Sequence, residues 1–455
     1  MCGILGIFGF NFSNAEDSLS LQNHRGPDNT GIWQKGDVFL GHKRLSIIDL
    51  NPRSNQPFKI ANEVIIFNGE IYNYKSLRLD LEKDGYNFRT KSDTEVLMNL
   101  YKKYNYDCIR HIKGMFAFCL YDKSKNIIWI SRDRYGIKPL YYCIDNHSLI
   151  FGSSLDSIIS SNIIKPNLSK NSINLYLFLS FVPTPYTIYE NIYKLKPGHE
   201  IIFSVNDFKI NKYWNEDRVE YYSDTADSLD KLLDLSVQEH SVSDRPIGTF
   251  LSGGLDSTLI TLKYSKHFKD FYCYTAISKM INQSDKKFSD LVTNSLNLKH
   301  TKIDIDNIQN MDIMDELINF IDEPVYDSSM LPTYLISKAA KQQGIDVLLA
   351  GNGADEIFFG YDRITAARFS LLLSLPAISG AGFLKAIHVV KVGDVQLGID
   401  ILLVTIISAL AALLAIRLMM SWLTRSNFNI FVIYRLILGC ILLLAIHHGW
   451  ITQPI

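Results

Sequence analysis

Short apolar runs broken by turn residues fill the first two hundred positions of this chain: CGILGIFGF (2–10), VFLGHKRLSIIDL (38–50), EVIIFNGEIYNY (63–74), MFAFCLYD (115–122), IIWISRDRYG (127–136), LIFGSS (149–154) and GHEIIFSV (198–205). Alternating and β-branched runs of this length predict strands, so sheets should dominate this part. After KYW (212–214) the rhythm lengthens. PIGTFLS (246–252), FYCYTAI (271–277), HTKIDID (300–306) and IDVLLAG (345–351) are strand candidates separated by stretches of helix length. That spacing predicts a parallel α/β sheet. Near residue 365 the composition changes again, and Leu, Ile and Ala dominate to the end. Three apolar segments, 369–387, 397–416 and 428–446, each have about the length that crosses a bilayer core as a helix. The expected domains are therefore 1–212, 213–366 and a membrane tail over 367–455.

At 455 residues the chain has room for two or three cores. Its formal net charge of -1 provides no basic field, so nucleic acid is not an expected partner. The DKK cluster at 285–287 reads as solvated surface. Six cysteines (Cys2, Cys108, Cys119, Cys143, Cys273, Cys440) show neither CxxC spacing nor the density of a disulfide scaffold, which points to reduced thiols. The apolar opening MCGILGIFGF has no basic residue before it and no small-residue cleavage site after a sufficient run, so it does not read as a signal peptide.

Removal of Met1 would leave Cys2 first, carrying a thiol and a free α-amine of ordinary pKa about 8. Such an amine serves as the general base of its own nucleophile. Small Gly3 suits both methionine removal and close approach by a substrate. HRGPD (24–28), HKRLSIIDL (42–50), FNGEIYNY (67–74), SDTEVL (92–97), GMFAFCLYD (114–122) and RDRYGIKPLYY (132–142) follow in order. Together they resemble the N-terminal-nucleophile glutamine amidotransferase domain of glutamine-dependent asparagine synthetases. The resemblance implies an α+β sandwich of αββα type in which Cys2 attacks the side-chain amide of glutamine, forms a thioester and releases ammonia. It also implies Asn68 and Gly69 as oxyanion donors. Arg44 would bind the substrate carboxylate through two parallel hydrogen bonds. Glu70 and Asp93 would hold its ammonium.

FLSGGLDSTLITLKYS places a strand, a Gly-Gly turn and a helix in succession, and the backbone N–H groups at such a turn suit phosphate oxygens. The GK[ST] ending of a Walker loop is absent. SGGLDS resembles the pyrophosphate loop of ATP pyrophosphatases, and EPVYDSSMLPTYLIS (323–337) and GYDR (360–363) extend the likeness to asparagine synthetases. The resemblance implies Ser252, Gly253, Gly254, Asp256 and Ser257 around the pyrophosphate of ATP, and Leu251, Ala276, Ala350 and Gly351 near adenosine. Asp256 and Asp355 would be the Mg2+ carboxylates. Aspartate would be activated as β-aspartyl-AMP and captured by ammonia. Asn352 stands where the family carries an acidic residue, and an amide does not accept a proton as a carboxylate does. Another carboxylate, such as a sugar acid, therefore stays open as the acceptor. So does an active glutaminase whose inactive synthetase half makes it a membrane-bound ammonia donor or partner-binding subunit.

The tail resembles the carboxyl-terminal third of bacterial undecaprenyl-diphosphatase in AARFSLLLSLPAISGAG, LLAIRLMMSWL and FVIYRLILGCILLL, without that family's catalytic glutamates or PGxSRSxxT signature. Phosphatase activity is not expected. Overall, the predicted architecture is the αββα sandwich, a truncated parallel-sheet ATP-pyrophosphatase domain and an all-α transmembrane tail in contact with lipid. Arg363, Arg368, Arg417 and Arg425 suggest a bacterial-type inner membrane with the enzyme domains in the cytoplasm. A homodimer is the accompanying expectation.

Overall fold

The computed structural model of the chain describes residues 1–351 apart from Asn11, Asn146 and residues 205–206, 216–225, 279–282 and 307–310. Twelve strands occupy the first 212 of these: β1 (Gly3–Phe8), β2 (Asn29–Lys35), β3 (Val38–Arg44), β4 (Phe58–Ile60), β5 (Glu63–Ile71), β6 (Gly114–Asp122), β7 (Ile127–Arg132), β8 (Tyr141–Asp145), β9 (Ser148–Gly152), β10 (Tyr193–Lys194), β11 (His199–Phe203) and β12 (Phe208–Lys212). They form two six-stranded antiparallel sheets, in the orders β10-β8-β9-β1-β3-β2 and β12-β11-β7-β6-β5-β4. Helices α1 (Ala15–Ser20), α2 (Tyr74–Lys83), α3 (Asp93–Tyr104), α4 (Leu155–Ile159) and α5 (Lys170–Leu179) lie between them in sequence.

The two-residue period of the strands builds the layers. Ile4 and Phe8 of β1 and Val38 and Leu40 of β3 point inward, where they meet Val64 and Ile66 of β5 and Ala117 and Cys119 of β6. The alternate residues Leu5, Ile7 and Phe39 point out and pack against Ala15 and Leu19 of α1 and Leu155 and Ile158 of α4. On the far side, Ile65, Phe67, Phe116 and Phe118 pack against Leu81 of α2 and Val96, Leu97 and Leu100 of α3. Both faces of each sheet are thus covered, which explains why these strands read as nearly continuous apolar runs, and the αββα expectation matches. Trp129 is fully buried in the outer layer, and its indole N–H donates to Glu200 Oε2 at 2.9 Å. Full burial of each such side chain contributes about 1.5–3 kcal/mol.

Beyond Trp214 come α6 (Ala226–His240), β13 (Ile247–Phe250), α7 (Leu255–His267), β14 (Tyr272–Ile277), α8 (Gln283–Leu296), β15 (Lys299–Asp304), α9 (Met311–Ile318), α10 (Met330–Gln342) and β16 (Val347–Leu349). The four strands are parallel, in the order β15-β14-β13-β16. Each begins and ends within a few residues of the strand predicted there. One face carries Val237, Tyr264 and Val292 from α6, α7 and α8, and the other carries Ile336 and Ala340 from α10. Parallel sheets require such cover on both sides. From β13 the chain moves outward to β14 and β15 and then returns to β16 on the opposite flank. The C-terminal ends of β13 and β16 therefore frame a topological switch point, where open α/β sheets bind ligands.

The sandwich and the parallel sheet belong to one compact unit. Glu323 forms a buried ion pair with Lys194 at 2.5 Å and accepts the Ile188 N–H at 2.8 Å. Asp322 accepts from Ser154 Oγ at 2.7 Å and from the Leu155 N–H at 3.1 Å. Arg245 spans Ser46 O at 3.0 Å, Asp28 at 3.4 Å and Asp346 at 3.5 Å.

The three apolar segments at 369–387, 397–416 and 428–446, together with Asn352 and Asp355, lie outside the described residues. Among the described residues, no helix is long and apolar enough to cross a membrane. The five cysteines among them are all free thiols, as the spacing predicts.

Candidate active site

Cys2 stands at the end of the sandwich where β1 begins and β3 ends, because Gly3 pairs with Lys43. The Leu45 N–H donates to Cys2 Sγ at 3.4 Å, and the thiol lies 3.5 Å from Leu45 O. Cys2, Arg44, Asn68, Gly69, Glu70 and Asp93, scattered over ninety positions of sequence, all line one cavity of about 260 Å³. Met1 and Lys138 also line it, as do Val347 and Leu348 of β16 and Asp346 just before that strand.

Local sequence fixes each of these parts. Ser92 caps α3 by accepting the Glu95 N–H at 3.3 Å, while the Glu95 carboxylate accepts the N–H groups of Arg89 and Thr90. This capping arrangement holds Asp93 at the helix entrance. Asn68 is buried, and its Nδ2 donates to Ser153 Oγ at 3.4 Å. A Cβ on Gly69 would fall 2.2 Å from Met115 O, so the neighbouring strand β6, as well as any substrate, demands glycine there.

Arg44 differs from the expected carboxylate clamp. Its Nη1 donates to Asn55 Oδ1 at 2.7 Å and to Asn51 O at 3.3 Å, and its Nη2 donates to Asp49 O at 2.6 Å and to Ile48 O at 3.2 Å. These bonds fold the 45–55 loop, which the apolar pattern LSIIDL had continued from β3. A parallel fork onto a substrate requires Arg44 to release some of these acceptors.

Charge is unevenly distributed around the cavity. Burial pushes the Cys2 thiol above its ordinary range, while the N-terminal amine, the Leu45 N–H, Lys138 and Arg44 act against that rise. Burial lowers the amine of Met1, the residue before Cys2, to about 5. Glu70 is raised to about 7 by burial, with Lys138 opposing and Asp93 adding. Asp93 is raised to about 6 by burial against hydrogen bonds from the N–H groups of Ile71 and Thr94. Sequence reading assigned no role to Lys138, or to Arg25, whose Nε donates to Cys2 O at 3.3 Å and whose Nη2 is buried without a hydrogen-bond partner. Both lie within quoted motifs, RDRYGIKPLYY and HRGPD, but nothing in their spacing shows that they face the thiol.

The second cluster forms at the switch point. Leu251, Ala276 and the pair Ala350–Gly351 lie at the C-terminal ends of β13, β14 and β16, and the Leu251 N–H donates to Tyr274 O at 2.8 Å. Ser252 Oγ and Ser257 Oγ lie 2.9 Å apart across the SGGLDS loop, and Ser252 Oγ also accepts the Gly254 N–H at 3.2 Å. Gly253 has φ +89, a conformation that favours glycine. Gly254 caps α7 without any side-chain hydrogen bond, which leaves first-turn N–H groups for an anion. A Cβ on Gly351 would lie 2.9 Å from both Asp256 C and Ser257 N, so β16 ends directly against the loop. These features fit a nucleotide phosphate. Asp256 stands in the first turn of α7, while Asp355 lies outside the described residues. Among the described residues, no group of three or more His, Cys, Asp or Glu side chains is gathered to hold a metal.

Residues 1–214 match the glutamine amidotransferase domain family, and residues 228–401 match the asparagine synthase family. The second match runs past residue 366 and takes in the segment 369–387. The likeness of the tail to undecaprenyl-diphosphatase gains no support from these matches. Over 83% of its length the chain is 34% identical to a putative glutamine-hydrolysing asparagine synthetase 2 of Methanocaldococcus jannaschii, covering 79% of that protein. It is 32% identical to glutamine-hydrolysing asparagine synthetase 1 of Bacillus subtilis over 84% of this chain, covering 64% of that relative. Against asparagine synthetase B of Escherichia coli it is 32% identical over 79% of this chain, covering 65% of that relative.

Proposed function

Because the chain belongs to the family of glutamine-hydrolysing asparagine synthetases, we propose that it hydrolyses glutamine at Cys2 and passes the ammonia to an ATP-activated carboxylate, in the first instance aspartate. One observation carries this reading. The stretch Asp346–Gly351, which contains β16, lines the Cys2 cavity at Asp346–Leu348 and meets the SGGLDS loop at Gly351, so one short stretch of chain joins the two clusters. At about 3.3 Å per residue, Leu348 and Gly351 are roughly 10 Å apart.

In this mechanism the Cys2 sulfur attacks the glutamine amide carbon, and its proton passes to the free α-amine exposed when Met1 is removed. Asn68 Nδ2 and the Gly69 N–H stabilise the developing oxyanion. Collapse of the intermediate breaks the carbon–nitrogen bond, the amine's proton leaves with ammonia, and water hydrolyses the thioester to glutamate. At the second cluster the carboxylate attacks the α-phosphorus of ATP, releasing pyrophosphate into the N–H groups of the loop and α7. Ammonia then displaces AMP. Asp256 and Asp355 would hold Mg2+, which would supply charge neutralisation for the pyrophosphate. The whole chain supplied with glutamine, aspartate and MgATP should yield glutamate, asparagine, AMP and pyrophosphate in equal amounts. Glutamate without pyrophosphate, for any carboxylate tried, would leave the ammonia-donor reading in its place.

Glu70 and Asp93 must be ionised to hold the substrate ammonium. With Glu70 at about 7 and Asp93 at about 6, both carboxyls become protonated as pH falls. The KM for glutamine should therefore rise about tenfold between pH 8 and pH 6, as expected for one group titrating near 7. A pH-independent KM in steady-state assays would remove these two residues from the ammonium site. The sign for stability is opposite. Because the folded-state values lie above the unfolded ones, these groups favour folding more as pH falls from 7 towards 4.

We further propose that the three apolar segments, 369–387, 397–416 and 428–446, hold the enzyme at the inner face of a membrane, with its catalytic domains in the cytoplasm. Their length and the arginines at 363 and 368, before the first segment, and at 417 and 425, between the second and third, support this reading, because the two crossings between them leave both groups on the same side. Most of the protein should sediment with membranes after carbonate washing and be recovered with detergent. Full recovery in the supernatant without detergent would sink the proposal.

A further inference from the structure

We propose that Lys138 is a positioning residue of the Cys2 site, its ammonium setting the charge of the Cys2 thiol and of the Glu70 carboxyl that share its cavity. Lys138 is 5% exposed and lines the cavity, and its Nζ has neither hydrogen-bond nor ion-pair partner among the described residues. An ammonium on a side chain so nearly buried, with no partner from the protein, is costly.

The turn that presents it is heavily tied down. The Asp133 carboxylate, itself fully buried, accepts the N–H groups of Phe116, Tyr135, Ile137 and Lys138 at 3.0–3.2 Å. Arg132 donates to the carbonyls of Gly136, Lys138 and Leu195. Two charged side chains thus fix the backbone at Lys138 from both sides and leave its side chain directed at the cavity. The RDRYGIKPLYY motif accordingly works as a mount for one cation.

The groups it meets are specific. Cys2 is faced by the N-terminal amine, Lys138, Arg44 and Arg25; Glu70 is faced by Lys138, Asp93 and the amine; and Lys138 itself is also faced by Arg25 and Asp133. Of the cations, Arg44 is bound into its loop and Arg25 is bonded to Cys2 O. Lys138 is the side-chain cation that faces both the nucleophile and Glu70. Loss of its charge should make the thiolate harder to form and keep Glu70 protonated to higher pH.

The inference rests on Cys2 being the nucleophile, and the test separates the two ideas. In the whole chain, the rate of Cys2 carboxamidomethylation by iodoacetamide is followed against pH by peptide mass spectrometry. K138M should move the midpoint up by about one pH unit, move the acid limb of the glutamine KM in the same direction, and leave the melting temperature near that of wild type. K138R should restore the midpoint. K138Q carries the same expectation where K138M does not fold. A midpoint unchanged from wild type in either folded variant overturns the proposal, whatever happens to turnover. A wild-type chain that alkylates at Cys2 but does not hydrolyse glutamine counts against the nucleophile assignment alone.

Discussion

Cys2→Ala should lower glutamine hydrolysis by a factor on the order of 10⁴ to 10⁶, as loss of a nucleophile does in enzymes with a covalent intermediate. The cavity explains why no other group substitutes. The other described cysteines are buried in the cores. Glutamate release in a coupled assay measures the loss, and persisting hydrolysis would sink the assignment. Ammonia-dependent synthesis should survive in the same variant, because the SGGLDS loop, α7 and β16 do not contain the substituted residue. An N-terminal tag that blocks Met1 removal should mimic the substitution for glutamine but not for ammonia. The proposed proton acceptor is the α-amine of Cys2 itself, which the tag leaves bound in a peptide.

Asp256→Asn should cut pyrophosphate release about 10³-fold, the equivalent of about 4 kcal/mol of lost transition-state stabilisation. The substitution keeps the side chain's size and removes its charge, at the first turn of a helix whose N-terminus has no side-chain cap. Glutamine hydrolysis in the absence of ATP should stay at wild-type level. Given a wild-type enzyme that makes pyrophosphate, unchanged release from Asp256→Asn would remove Asp256 from the metal site.

Much of the sandwich was legible because its two-residue period survives in the sequence. Runs such as GILGIF alternate between two buried faces, and their extent predicted β1 closely. The four parallel strands were equally visible, since each is a short apolar run ahead of a turn. The run VFLGHKRLSIIDL misled beyond Arg44: its second half is as apolar as its first, yet it folds as a loop because the Arg44 guanidinium gathers the carbonyls of Ile48, Asp49 and Asn51. Periodicity does not register a side-chain anchor of this kind, even one that reaches only four to seven residues along the chain.

Sequence by itself determined the chemistry on offer: a cysteine one residue from the start, an ordered set of amidotransferase motifs, and a strand–SGGLDS–helix unit. These are local statements, written in neighbouring residues and in the periods of helix and strand. Only the tertiary structure decided how the groups behave. It placed Lys138 and Cys2 on one cavity across 136 positions of chain, put Glu70 at about 7 and the Met1 amine at about 5, and set β16 between the cavity and the phosphate loop. The physical reason is common to all three. Proton affinity and reach depend on burial and on what stands nearby in space, and neither is set by distance along the chain.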